Sequence, residues 1–119
     1  MNSIEIRTNE FELYMKDAIS KLKDFKYREA YLSIMKAFQE NPNVPEPHNL
    51  LGIYYEFNEN YDLARKHYRI AYVLNPTYKP SSENLERVST LFLYKRIPVN
   101  YGEEVTVEPV VPKRSFKVE

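Results

Sequence analysis

The chain of 119 residues contains no cysteine and no tryptophan, and it has only two glycines. The missing cysteines exclude a disulfide framework, a thiolate metal site and a thiol nucleophile. Its 17 basic and 17 acidic side chains give a formal net charge of zero. This balance argues against a nucleic-acid-binding protein, because phosphate neutralisation needs a basic face. Eleven tyrosines and a hydrophobic content of 43% favour helices that pack through amphipathic aromatic side chains.

Long hydrophobic runs are absent as well. No stretch of ten residues lacks a charged side chain, which excludes a transmembrane helix of ordinary length. The first ten residues include Glu5 and Glu10 and have no apolar run, so we expect no signal peptide. The sequence therefore predicts a cytoplasmic protein with no membrane association.

An internal repeat is present with a period of 34 residues. Residues 11–44 can be laid over residues 45–78 without a gap, and seven positions are then identical. Small residues and helix-terminating residues recur in this comparison, which indicates a repeated structural unit. The identical pairs are Glu12/Glu46, Ile19/Ile53, Tyr27/Tyr61, Ala30/Ala64, Ala37/Ala71, Asn41/Asn75 and Pro42/Pro76.

Each unit has the pattern of two helices. A capping box at residues 9–12 predicts a helix that starts near Asn9, and apolar residues with helical spacing follow it. A turn at residues 24–26 separates it from a second helix, Tyr27–Glu40. The dipeptide Asn41-Pro42 ends this second helix, because proline has no amide hydrogen and disfavours a helical conformation in the residue before it.

The second unit has the same plan. It predicts a helix over residues 46–57, a turn at residues 58–60 and a helix Tyr61–Leu74. The dipeptide Asn75-Pro76 ends the last of these helices. Leucine, small, aromatic and helix-terminating residues mark the unit in this order: His48, Leu51, Gly52, Tyr55, Tyr61, Ala64, Tyr68, Ala71 and Pro76.

This pattern resembles the tetratricopeptide repeat (TPR) family, which has the same period. His48 stands where the family usually has tryptophan, and Tyr68 where it usually has phenylalanine. The first unit matches at fewer positions, which are Tyr14, Ala18, Tyr27, Ala30, Ala37 and Pro42. Independently of the resemblance, the small residues Ala18 and Gly52 predict that the two helices of each hairpin approach closely there, with Ala30 and Ala64 facing them from the second helix.

The predicted fold is all-α: a short TPR-type α-solenoid of helix-turn-helix repeats with a C-terminal capping helix and an extended tail. We divide it into an N-terminal segment (1–10), TPR unit 1 (11–44), TPR unit 2 (45–78), a capping helix (79–96) and an extended or flexible tail (97–119). Stacked hairpins need a final element to cover their exposed face. We place that helix at residues 82–95, with Leu85, Val88, Leu91 and Phe92 on its inner face and Glu83, Glu86 and Arg87 outside.

The sequence has only two histidines, and neither belongs to a pattern typical of a catalytic or metal-binding site. His48 falls on a packed helix face, where a histidine partnered by a neighbour is expected. His67 lies among Arg65, Lys66 and Arg69, and we expect it on a solvated surface. No nucleophile, phosphate loop or metal-ligand cluster accompanies either histidine. We therefore expect neither enzymatic activity nor a cofactor nor a metal.

The resemblance implies a concave groove lined by the first helix of each repeat. An apolar groove floor and a polar Asn49 predict binding of a protein or peptide partner. The positions at which some TPR proteins hold a chaperone carboxylate carry Met15, Ile19, Leu50 and Pro80, which argues against that ligand. The predicted groove residues are Glu12, Met15, Ile19, Leu22, Lys23, Glu46, Asn49, Ile53, Glu56 and Phe57.

Two functions remain open at this point. The first is a non-catalytic protein–protein interaction module, an adaptor or scaffold. The alternative is a structural self-assembly unit that dimerises or stacks through its repeat faces. Besides a partner protein or a second copy of the chain, the tail, residues 97–119, is a candidate to occupy the groove. We hypothesise that Val105, Val107, Val110 and Val111 dock there, while a solvated tail or pairing with another chain explains the same residues.

Overall fold

The computed structural model describes residues 3–90 and 97–103, and within these ranges it contains five α-helices and no strand. The all-α prediction is therefore confirmed for the described part of the chain. None of these helices is long and apolar enough to cross a bilayer. The helices are α1 (Ser3–Lys23), α2 (Tyr27–Glu40), α3 (Pro45–Phe57), α4 (Tyr61–Leu74) and α5 (Lys79–Ser89).

The helix boundaries recur with the period of the sequence repeat. Helices α2 and α4 have the predicted bounds and the same length of 14 residues. Phe25 and Glu59 both adopt a left-handed backbone, with φ of 64° and 63°, at equivalent places in the two turns. The caps Asn41 and Asn75 are both extended and donate their backbone amides to Ala37 and Ala71. The two hairpins therefore share one backbone plan.

Two predicted boundaries are wrong. Helix α1 begins at Ser3 instead of near Asn9, because the residues before Asn9 are themselves helical and leave no helix terminus there for a cap. Helix α5 covers Lys79–Ser89 instead of residues 82–95, with a proline in its first turn, where the missing amide costs nothing. Leu91 and Phe92 lie outside the described residues, as does most of the tail.

Consecutive helices pack against one another, and α5 also contacts α3. Ala18, Ala30 and Ala64 are fully buried in the core that these contacts form. A Cβ atom built on Gly52 would lie 2.5 Å from Cδ1 of Tyr68, closer than atoms can approach. The predicted close approach of α3 and α4 at Gly52 is therefore confirmed. The core cluster consists of Ala18, Ile19, Leu22, Ala30, Ile34, Leu50, Leu51, Ile53, Ala64 and Tyr68.

Candidate functional site

An irregular segment, residues 97–103, lies across the first helices of the repeats. We call it the groove segment. Its residues are neither helical nor in a strand, and they contact side chains of α1, α3 and α5. Val99 and Tyr101 pack against the hydrophobic core cluster. The chain therefore places a piece of itself on the face that the resemblance assigns to a ligand.

Two asparagines bind the backbone of the groove segment at Asn100. Asn84 donates through Nδ2 to the carbonyl of Asn100 at 2.8 Å and accepts the amide of the same residue at 2.9 Å. Asn49 donates to that carbonyl from α3 at 3.0 Å. Asn84 also donates to Oδ1 of Asn49 at 2.8 Å, and both side chains are fully buried. The pair thus forms a clasp for one residue's backbone, which we call the asparagine clasp.

Arg87 supports the clasp from the next turn of α5. Its Nη1 donates to Oδ1 of Asn84 at 2.9 Å and to the carbonyl of Pro98 at 3.0 Å. Its Nε donates to Oε2 of Glu56 at 3.0 Å, and only 16% and 13% of the two side chains are exposed. The Tyr68 hydroxyl donates to Glu56 at 2.8 Å, and burial and the adjacent Glu56 carboxylate raise the pKa of Tyr68. These bonds hold Arg87 in one orientation.

The side chain of Asn100 shapes the groove segment itself. Its Oδ1 accepts the amide of Gly102 at 2.9 Å, and its Nδ2 donates to Glu83 at 2.9 Å. Gly102 has φ of 78°, a left-handed conformation that favours glycine. A Cβ atom at this position would collide with the Tyr78 hydroxyl. Asn100 and Gly102 therefore form a local turn that fits closely against Tyr78.

Lys23 of α1 binds the end of the groove segment. Its ammonium group lies 2.9 Å from Oε1 of Glu103 and 5.0 Å from the centroid of the Tyr101 ring. Burial is the main cause of the raised pKa of Tyr101. About half of each side chain in the Lys23–Glu103 pair is exposed, so this pair contributes little to stability.

Beyond Gly102 and Glu103 the groove continues as an open cavity of about 870 Å³ along α1. At its edge, Oε1 of Glu46 is buried and has no hydrogen-bond partner among the described residues. The Tyr78 hydroxyl is in the same condition. The cavity is lined by Phe11, Glu12, Met15, Lys16, Ile19, Ser20, Lys23, Asp24, Glu46, Gly102 and Glu103.

The structure corrects the predicted groove residues. Leu22 and Ile53 are fully buried and belong to the core instead of an open apolar floor. Ile19 also packs in the core and is 7% exposed, so that only a small part of its side chain faces the cavity. Phe57 packs on Tyr27, with ring centroids 5.8 Å apart. These side chains are buried because neighbouring helices pack against the faces on which they lie. Five predicted residues do line the open cavity, namely Glu12, Met15, Ile19, Lys23 and Glu46, while Asn49 and Glu56 belong to the clasp region.

Residues that the sequence did not indicate carry much of the site. No sequence signal marks Asn84, and Arg87, which the helical spacing places outside the packed face, points inward to Glu56. Asn100 lies in the tail, for which the sequence predicts only an extended or flexible chain. No motif marks these three residues, since each has its partner in a different element of the chain.

The two histidines form a pair. Their Nδ1 atoms lie 3.2 Å apart, and Phe38 packs edge-on against His48 with the ring centroids 4.7 Å apart. The prediction of a solvated His67 is wrong, because the ring lies partly buried between His48 and Tyr55. Burial lowers the pKa of His48 to about 4 and also lowers the pKa of His67.

Within residues 3–90 and 97–103, no three acidic or histidine side chains come together in a way that could hold a metal ion. No family model, curated protein or solved structure matches this chain.

Proposed function

We propose that this chain is a TPR-type helical repeat protein that acts as a non-catalytic protein–protein interaction module. Its groove would bind a peptide or segment of a partner protein through backbone hydrogen bonds. The observation that supports this proposal is the asparagine clasp, in which Asn49 and Asn84 satisfy the carbonyl and the amide of Asn100.

The clasp suits such a function because it is held in place from its own side. Asn84 is hydrogen-bonded to Asn49 and to Arg87, and Arg87 is fixed by Glu56. Donors that are already oriented lose little side-chain freedom when a ligand binds, which favours affinity. A clasp that bonds backbone atoms accepts peptides of many sequences, while the side-chain contacts beside it would select among them.

The direct test is selection of peptides from a displayed library on the immobilised full-length chain. We expect the recovered peptides to bind the parent chain. Their affinity for Asn84→Ala should be at least about tenfold lower, because this variant lacks the side chain that hydrogen-bonds the ligand's carbonyl and amide. Asn43→Ala, at an exposed turn position, is the matched control and should bind like the parent. Selected peptides that bind both variants equally would contradict a role for the clasp.

Self-assembly is the second candidate, and an exposed apolar strip on the last turn of α4 favours it. Tyr72 is 50% exposed, Val73 76% and Leu74 39%. The strip borders a shallow depression of about 550 Å³ on the outer side of α4. Light scattering at increasing concentration tests this alternative. A dimer that Val73→Asp converts to monomer would support it, and a monomer throughout would exclude it.

A further inference from the structure

We propose that residues 99–102 are this chain's own copy of the peptide that the groove recognises, so that the groove segment competes with an external ligand. This inference rests on the proposed function. It names the ligand class as a peptide with an asparagine followed by an aromatic residue and a glycine, which form a local turn as residues 100–102 do. It also assigns the groove segment a regulatory role, because the ligand must displace it.

The contacts have the asymmetry of a receptor and its ligand. On the helix side, Asn84 is hydrogen-bonded to Asn49 and to Arg87, and Arg87 is hydrogen-bonded to Glu56, without any atom of the groove segment. On the segment side, none of the residues 97–103 is fully buried. The helix side therefore has supporting hydrogen bonds of its own, whereas the backbone of Asn100 takes its partners from the helices.

The side chains of the groove segment define what a ligand must carry. The asparagine at position 100 bonds Glu83 and closes the turn to Gly102. The following aromatic ring covers the core cluster and lies next to the Lys23 ammonium group. The glycine is required by its positive φ and by the closeness of the Tyr78 hydroxyl.

Competition follows from connectivity. A segment that is tethered to its binding site has an effective concentration that reaches the millimolar range. If the free peptide binds with a Kd of about 0.1 mM, the tethered copy is docked about 90% of the time, and the apparent affinity for an external peptide falls about tenfold. A variant in which the tethered copy no longer docks should therefore bind the external peptide about tenfold more tightly than the parent chain does.

The experiment compares full-length proteins that differ only in the groove segment. Gly102→Ala introduces a Cβ atom that collides with Tyr78, and Asn100→Pro removes the amide that Asn84 accepts. Neither substitution alters a helix. The probe is a fluorescein-labelled peptide with the sequence of residues 97–104, and binding is measured by fluorescence anisotropy. The side-chain amide NMR signals of Asn49 and Asn84 report whether the groove segment has left.

We expect both variants to keep their helical circular dichroism, to shift the Asn84 amide signals and to bind the peptide about tenfold more tightly than the parent chain. Adding Asn84→Ala to Gly102→Ala should abolish binding. A probe peptide that carries Asn100→Ala should bind more weakly, because it lacks the bond to Glu83 and the local turn. The parent chain with the unaltered probe is the reference.

Three results would overturn the inference. The first is equal affinity of the parent and both variants for the probe, which would show no competition. The second is unchanged Asn84 signals, or loss of helicity, in both variants, since the groove segment would then be a fixed part of the fold. The third is Asn84-dependent binding of library peptides without binding of the probe, which leaves the proposed function standing. If neither the probe nor any library peptide binds the released groove, the proposed function itself fails.

Discussion

The Nδ1 atoms of His48 and His67 face each other at 3.2 Å, with 5.5 Å between the ring centroids and 19° between the ring planes. The centroid separation exceeds the nitrogen separation by about two ring radii, so the rings meet edge to edge instead of face to face. For a hydrogen bond between them, one Nδ1 must carry a hydrogen and donate it, and the other must be unprotonated and accept. Two fully protonated rings would place two N–H groups against each other, which the folded state disfavours.

The first prediction concerns pH. The folded-state pKa of His48, about 4, lies below its ordinary value of 6.5, so the unfolded chain binds more protons between these values. The contribution of the neutral His48 to the free energy of unfolding is therefore fully present above pH 6.5 and decreases as the pH falls towards 4. We expect this decrease to be about 1–2 kcal/mol after allowance for solvent screening. Thermal unfolding followed by circular dichroism across this pH range would measure the loss.

A matched variant separates the histidine pair from the acidic residues, which also titrate at low pH. His67→Gln keeps a side chain that can hydrogen-bond His48 but does not titrate. We expect its melting temperature to depend less on pH between 6.5 and 4 than that of the parent. An identical pH dependence in both proteins would assign the effect to other groups.

The second prediction concerns the close approach of α3 and α4. Gly52→Leu should destabilise the chain by about 1–3 kcal/mol, because the Tyr68 ring occupies the space that the new side chain needs. Urea unfolding would measure the change. A variant with parent-like stability would show that the α3–α4 contact at Gly52 is looser than the structure has it.

The repeat itself supplies a rescue for this site. The first hairpin has Ala18 and Ile34 at the positions of Gly52 and Tyr68, and both are fully buried. We expect Gly52→Ala alone to destabilise, and Gly52→Ala combined with Tyr68→Ile to recover part of the loss. Purely additive effects in this double-mutant cycle would argue against direct contact between the two side chains.

The third prediction concerns the ion pair between Glu56 and Arg87, which is about 85% buried on both sides. Arg87→Met leaves the Glu56 carboxylate without its cation and should cost about 3 kcal/mol. The double variant with Glu56→Gln removes both charges and should recover part of that cost. Urea unfolding of the two single variants and the double variant completes the cycle. A cost for Arg87→Met below about 0.5 kcal/mol, the range of an exposed pair, would contradict this buried arrangement.

The fourth prediction replaces an expectation that the sequence suggested. If Ile53 lay on an open groove floor, Ile53→Glu would leave the helices intact. Because Ile53 is fully buried, we expect this variant to lose helical circular dichroism at 25 °C, since an unpaired charge in the core is costly. Met15→Glu, at a partly exposed position on the cavity wall, should remain folded and serves as the control.

Local sequence signals determined the helical plan of this protein. The bounds of α2 and α4, the turns at Phe25 and Glu59 and the close approach at Gly52 follow from spacing, proline positions and small residues. These features depend on interactions within about one hairpin, and equivalent features occur in both repeat units. The predicted start of α1 failed for a related reason, because a capping box is informative only where the preceding residues are not helical.

The groove depended on the tertiary structure. Asn84 and Asn100 come from different parts of the chain, and neither belongs to a motif that would have indicated the clasp. Helical spacing could place Ile19, Leu22 and Ile53 on one side of their helices, but it could not tell whether that side faces a ligand or a neighbouring helix. Only the packing of α1, α3 and α5 around residues 97–103 decides this, because burial depends on every element that reaches the same space.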